Sequence, residues 1–228
     1  MSCAYSDGLV NFLAHLVLDH ATPAAAAGAL LPDLVRGRDR REVRDELRAA
    51  VARHRLVDTF TDHHPLVARS KARVASGCGR YAGVLMDVFY DHLLSAAWAD
   101  HAPDLRDRPT FIADAYTLLR DARPLMPAAM WPAVERMIGQ DWLGDYATEA
   151  GLRRVLGMMA ARMTMRFGRV VSFDAGLCAL LVHRAELAGD FRVFFPQLAA
   201  AVAAARAASP DAPATAPLPH GRPPCPTA

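Results

Sequence analysis

From Asn11 to about Ala208, large apolar side chains recur every three or four residues, and alternation with a period of two is nearly absent. That spacing lines up an apolar stripe on a helix and leaves a strand no face to bury. Alanine, leucine and arginine, all good helix formers, fill many of the positions between. The chain therefore reads as all-α, and its 228 residues are enough for a single multi-helix domain around one core.

Prolines, glycines and polar breaks predict where the helices lie. The first covers 11–20, and the second opens at Pro23 and ends by Pro32 to Gly37. A long third helix covers 41–61, with Val43, Leu47, Val51, Leu56 and Phe60 as its apolar stripe and His63, His64 and Pro65 as its stop. Further helices are expected over 66–75, 81–98, 109–121, 133–138, 150–166, 174–187 and 191–208. Residues 1–9 are expected to be an N-terminal extension, and 10–208 the helical domain. The Pro/Ala-rich stretch 209–228 has too few large apolar groups to offset the entropy of ordering, so a disordered tail is expected there.

Formal net charge is +2, which argues against a nucleic-acid binder. All but one of the 26 cationic side chains are arginine, the exception being Lys71. Eight arginines fall between Arg36 and Arg55 (36, 38, 40, 41, 44, 48, 53, 55), against Asp39, Glu42, Asp45 and Glu46. They form either a basic docking face or the mixed-charge exterior of a helix. The four cysteines are scattered, with no C-x-x-C, which speaks against a disulfide framework or a thiolate zinc site and fits a reducing cytoplasm. No basic-then-apolar leader and no run of about 20 apolar residues is present, so a soluble, cytoplasmic chain without a membrane span is expected.

Chemistry-bearing residues sit within these apolar helices. His54, Asp58 and Asp62 follow one another at i,i+4, one turn apart on one helix face. Stacked acids repel unless a positive charge lies between them, and either a metal ion or Arg55 would supply it. Asp87 and Asp91 share a face of one of the most apolar helices, beside His92; carboxylates there need a partner, because burying a lone charge is costly. His15 and Asp33 lie on the first two helices; His15 alone could be a hydrogen-bonded core residue, and Arg36 could simply pair with Asp33. Nitrogen and oxygen ligands without thiolate suit manganese, magnesium or iron better than structural zinc. Phosphate-binding loops, dinucleotide fingerprints, H-E-x-x-H and G-x-S-x-G are all missing.

Taken in order, N-F-L-A-H-L from Asn11, G-A-L-L-P-D-L-V-R-G from Gly28, H-R-L-V-D-T-F-T-D from His54 and L-M-D-V-F-Y-D-H-L-L-S-A-A-W from Leu85 resemble the acyl carrier protein phosphodiesterases. W-L-G-D-Y from Trp142 and V-L-G-M-M-A-A-R from Val155 are similar to that family's C-terminal part. The resemblance implies the all-helical fold of the His-Asp metal phosphohydrolases. It also implies hydrolysis of the phosphodiester of holo-acyl carrier protein by a metal-activated water, releasing 4′-phosphopantetheine and apo-carrier. Manganese is the implied metal, with magnesium or iron as substitutes, and an acidic carrier protein the implied partner. By motif position the functional set is His15, Asp33, Arg36, His54, Asp58, Asp62, Asp91 and His92. Of these, His54, Asp58, Asp91, His92 and Asp62 are assigned to the metal and Asp33 and His15 to catalysis, while Arg36 or Arg55 would bind the substrate phosphate.

Two departures from that pattern stand out within the motifs. The adjacent His-Asp pair of the wider superfamily is replaced by Asp91-His92, and Ala29 stands where the family tends to carry asparagine. Rival readings are a metal phosphohydrolase of another small phosphoester or nucleotide, and a non-catalytic carrier-protein binder.

Overall fold

The computed structural model describes residues 11–35 and 43–208, and the expectations for 1–9 and 209–228, together with Arg36, lie outside them. Among the described residues every regular element is a helix: α1 Phe12–Leu18, α2 Pro23–Leu34, α3 Asp45–His63, α4 Pro65–Cys78, α5 Ala82–Ala96, α6 Trp98–His101, α7 Arg108–Asp121, α8 Trp131–Gly139, α9 Trp142–Asp145, α10 Glu149–Phe167, α11 Asp174–Val182 and α12 Arg184–Ala208. They share one core, the all-α single domain that the spacing predicts.

Local chemistry explains most boundaries. Thr22 caps α2 through Oγ1, which accepts from Ala25 N at 3.1 Å, and Pro23 occupies the first turn, where its missing N–H costs nothing. His64 ends α3, and its Nδ1 accepts from Leu66 N to begin α4. Asp107 and Thr148 cap α7 and α10 in the same way. Where expectation and structure part, packing is the reason. Val43 precedes α3 rather than joining its stripe; the buried face runs through Leu47, Ala50, Val51, His54, Val57 and Thr61. The break expected between Leu187 and Phe191 falls instead at His183, and α12 carries Gly189 and Pro196 within a continuous helix. Short α9 was not expected; it is capped by Asp141, a non-glycine residue at φ 49 whose Oδ1 also accepts from the Tyr116 hydroxyl.

Helices α2 and α3 pack more intimately than any other pair. A Cβ on Gly28 would lie 2.5 Å from Ala50 Cβ and 2.9 Å from Leu47 O, so the backbones meet there with no room for a side chain. Gly28→Ala is expected to cost about 1–3 kcal/mol through overpacking, lowering Tm by about 2–4 °C per kcal/mol in a chain of this size. Calorimetry of the variant checks this.

By length and composition, α12 could cross a membrane, the one such helix among the described residues. Here its apolar groups Leu187, Phe191, Phe194, Leu198 and Val202 belong to the core. Two ion clusters anchor it. Buried Asp190 accepts from Ser70 Oγ at 2.9 Å and pairs with Arg69 and Arg73 on α4. Arg206 reaches Asp19 at 3.1 Å, beside the buried Arg53–Asp19 pair at 2.7 Å. Arg53 is thus locked inside, which removes it from the basic surface expected between Arg36 and Arg55. Arg44 and Arg48 pair with Glu46 and Asp45 at the surface, so the described part of that stretch has the character of a mixed-charge exterior.

Candidate metal centre

Three helices meet where α1, α2 and α3 converge, and each brings one group. The His15 and His54 imidazoles and the Asp33 carboxylate offer atoms that all lie within 4.8 Å of one another. The two rings are stacked, with centroids 4.0 Å apart and planes 13° from parallel. His54 lies on the inward stripe of α3, and its Nδ1–H donates to Ala29 O at 2.7 Å. That bond sets the tautomer and turns the Nε2 lone pair into the cluster, the usual means of orienting a metal-binding imidazole. A side-chain hydrogen bond from position 29 is unnecessary for this, because the backbone carbonyl provides it; Ala29 in place of asparagine leaves the contact intact.

Asp58 closes the group from one turn along α3. Its Oδ2 is 3.1 Å from His54 Nε2 and its Oδ1 is 3.3 Å from His15 Nε2, while Asp33 Oδ1 is 3.8 Å from His54 Nε2. Yet both buried Nε2 atoms lack hydrogen-bond geometry to any partner. Lone pairs of neutral imidazoles facing carboxylate oxygens repel unless a proton or a cation lies between them. The residues therefore fit a divalent cation, and the all-nitrogen-and-oxygen donor set fits a hard or borderline one. Asp58, with its side chain 48% exposed, marks the solvent side; both histidines are almost fully covered.

The charges are interdependent. Burial pulls the His15 pKa down and the neighbouring His54 pulls it further, against Asp58 and Asp33. Burial acts on His54 as well, but Asp58 and Asp33 outweigh it and raise its pKa above 6.5. Burial would push the Asp58 carboxyl up, but the two imidazoles hold it well below the usual carboxylate range.

Asp91 is placed differently from the ligand role expected of it. Both of its oxygens accept backbone N–H groups at the start of α1, from Leu13 at 2.9 Å and from Ala14 at 2.8 Å. Helix α1 has no side-chain cap of its own, and Asn11 makes no such bond. Asp91 on α5 supplies the cap across 77 and 78 residues of sequence. Burial pushes its pKa up to about 8, while the two N–H donors pull it down.

The other expected ligands also stand apart from the cluster. His92 turns toward α9, its Nδ1–H donating to Tyr146 O at 2.9 Å. Asp62 is 68% exposed and accepts from Lys71 Nζ at 2.9 Å. Arg55 lies on the exposed side of α3, next in sequence to His54. Asp87, absent from the set carried over by motif, is close enough to Asp33, Asp58, Asp62 and Lys71 to feel their charges. Burial is the main force raising its pKa, and those three acids add to it. Its place one turn before Asp91 on an apolar helix was the available signal.

The family model for acyl carrier protein phosphodiesterase matches residues 10–198. The chain belongs to this family. Relatives bearing that name include one from Yersinia enterocolitica, 35% identical over 153 residues, covering 67% of this chain and 79% of the relative. Another, from Enterobacter sp., is 32% identical over 189 residues, covering 83% and 95%. One from Escherichia coli O157:H7 is 29% identical over 191 residues, covering 84% and 96%. No solved structure matches the chain, so the expected likeness to the His-Asp phosphohydrolase fold gains no support from that direction.

Proposed function

We propose that this protein hydrolyses the phosphodiester linking 4′-phosphopantetheine to holo-acyl carrier protein, in the cytoplasm, at a metal centre held by His15, Asp33 and His54. Membership of the family supports the substrate, and the convergence of three buried ligand groups from α1, α2 and α3 carries the site. Manganese is the favoured ion, with magnesium or iron as substitutes. When bound, such an ion lowers the pKa of water and offsets the negative charge that develops on phosphate.

The protein's own residues do the rest. Ala29 O holds the His54 ring in its working tautomer. Asp91, by capping α1, fixes the turn that carries His15. Asp58, ionised and half exposed, accepts a hydrogen bond from water entering on the solvent side and orients it. Arg55 and Arg36 remain candidates for the carrier's acidic surface or the phosphate.

Incubation of the protein with holo-carrier and manganese, followed by mass spectrometry of the carrier, is expected to show loss of the pantetheine arm. A carrier left intact while a nucleotide or small diester is cleaved would redirect the substrate assignment.

A pH dependence follows from the imidazoles. Metal ligation requires neutral His54, whose pKa lies above 6.5 in the folded protein. Manganese affinity is therefore expected to weaken as pH falls through that raised value, with about one proton released per ion bound in that window. Burial lowers the pKa of His15, so its own proton enters the balance only at lower pH than that of His54. Calorimetric titration with manganese across pH checks the slope; an affinity flat across that range would argue against histidine ligation.

A further inference from the structure

Lys71 is the only lysine among 26 cationic side chains, in a chain that uses arginine everywhere else. At this one position the chain offers a compact, turnable point charge rather than a planar fork. Its side chain runs from α4 with 26% exposure, and Nζ donates to Asp62 Oδ1 at 2.9 Å. Asp62 is one turn beyond Asp58 on α3, about 6 Å farther along the axis. On the other side the ammonium lies against the first turn of α5: a Cβ at Gly83 would be 3.9 Å from Nζ. Asp87 follows Gly83 by one turn, and Lys71 is the cation that counters its burial and its three acidic neighbours. The ammonium is thus held between Asp62 from α3 and Gly83 from α5, close enough to Asp87 to act on its charge.

The geometry points to Lys71 as the cation that holds the substrate's phosphate at this centre, with Asp62 its partner while no phosphate is bound and Gly83 leaving it room. The inference rests on the hydrolytic reading above. Its chemistry is simple. A phosphodiester approaching the centre past the exposed Asp58 and Asp62 meets repulsion from their carboxylates, and one mobile ammonium beside Asp62 relieves it. Three rotatable N–H donors can follow the phosphate as it turns from diester to product monoester. Loss of a plain surface bridge between α3 and α4, by contrast, has little consequence in either direction.

The two halves of the pair separate these roles. Wild type, Lys71→Gln and Asp62→Asn, each with manganese present, are titrated with inorganic phosphate in a calorimeter. Lys71→Gln is expected to weaken phosphate binding by about tenfold or more, the worth of one charge-assisted hydrogen bond, with manganese affinity and Tm nearly unchanged. Asp62→Asn keeps the ammonium and is expected to bind phosphate at least as well as wild type. Lys71→Arg should recover part of the loss. Equal effects from Lys71→Gln and Asp62→Asn, or phosphate affinity unchanged in Lys71→Gln, would overturn the assignment. Failure of wild type to cleave holo-carrier would count against the hydrolytic reading instead, and the phosphate titration would stand apart from it.

Discussion

His54→Ala is expected to abolish stoichiometric manganese binding and to reduce cleavage of holo-carrier by more than about 100-fold. Loss of a mere supporting hydrogen bond around a metal ligand costs about 10- to 100-fold, and loss of a ligand should exceed that. His54 contributes the best-oriented nitrogen of the cluster. Its ring is buried, its Nδ1 proton is committed to Ala29 O, and its Nε2 faces Asp58 and Asp33. Alanine is a strong helix former, so α3 should persist and the protein should remain folded. His63→Ala on the same helix is the control, because that ring is exposed and bonds Thr59 O within its own helix. Metal content by mass spectrometry together with calorimetric titration checks the result. Wild-type manganese affinity in His54→Ala would remove the proposed centre.

Asp91→Ala is expected to strike stability first and activity as a consequence. From sequence alone, this substitution was expected to leave the fold intact and abolish activity, because Asp91 was assigned to the metal. Its two oxygens instead satisfy the Leu13 and Ala14 N–H groups in a fully buried setting. Removing them strands two backbone donors at about 1–3 kcal/mol each. A loss of roughly 2–6 kcal/mol on this count is a large share of a typical domain's total stability. The turn that loses its cap also carries His15, so manganese affinity should fall even under conditions where the variant stays folded. Urea denaturation with an unchanged m-value and a lower midpoint would establish the first part, and manganese titration well below that midpoint the second. Wild-type stability in Asp91→Ala would show that α1 does not depend on this cap. Asp91→Asn, which retains one acceptor, should fall between the two.

The contrast between His54 and Asp91 shows how far sequence reading reaches. Groups one turn apart on a single helix are visible as i,i+4 spacing, which is why His54 and Asp58 were legible together. Asp62, the next member of the same series, has the same spacing but lies up α3 beyond the two buried histidines, exposed to solvent and paired with Lys71. A period of four residues advances about 40° per step around the helix, so a third member no longer shares the first one's surroundings. Asp87 and Asp91 present the same limit in reverse. Both were recognised as acids that an apolar helix must partner, but whether the partner was a cation or a backbone could not be read from α5, since the answer lies on α1.

Period and punctuation in the chain were sufficient to determine an all-helical domain, most helix boundaries and the residue types able to hold a hard cation, because these depend on contacts within a few residues. Which of those residues meet was decided by tertiary packing: the close approach of α2 and α3 at Gly28, the seating of α1 on Asp91, and the turning of His92 toward Tyr146. Those contacts join residues about 20 to 80 positions apart, and no local periodicity encodes the direction in which a side chain points once two helices have chosen their crossing.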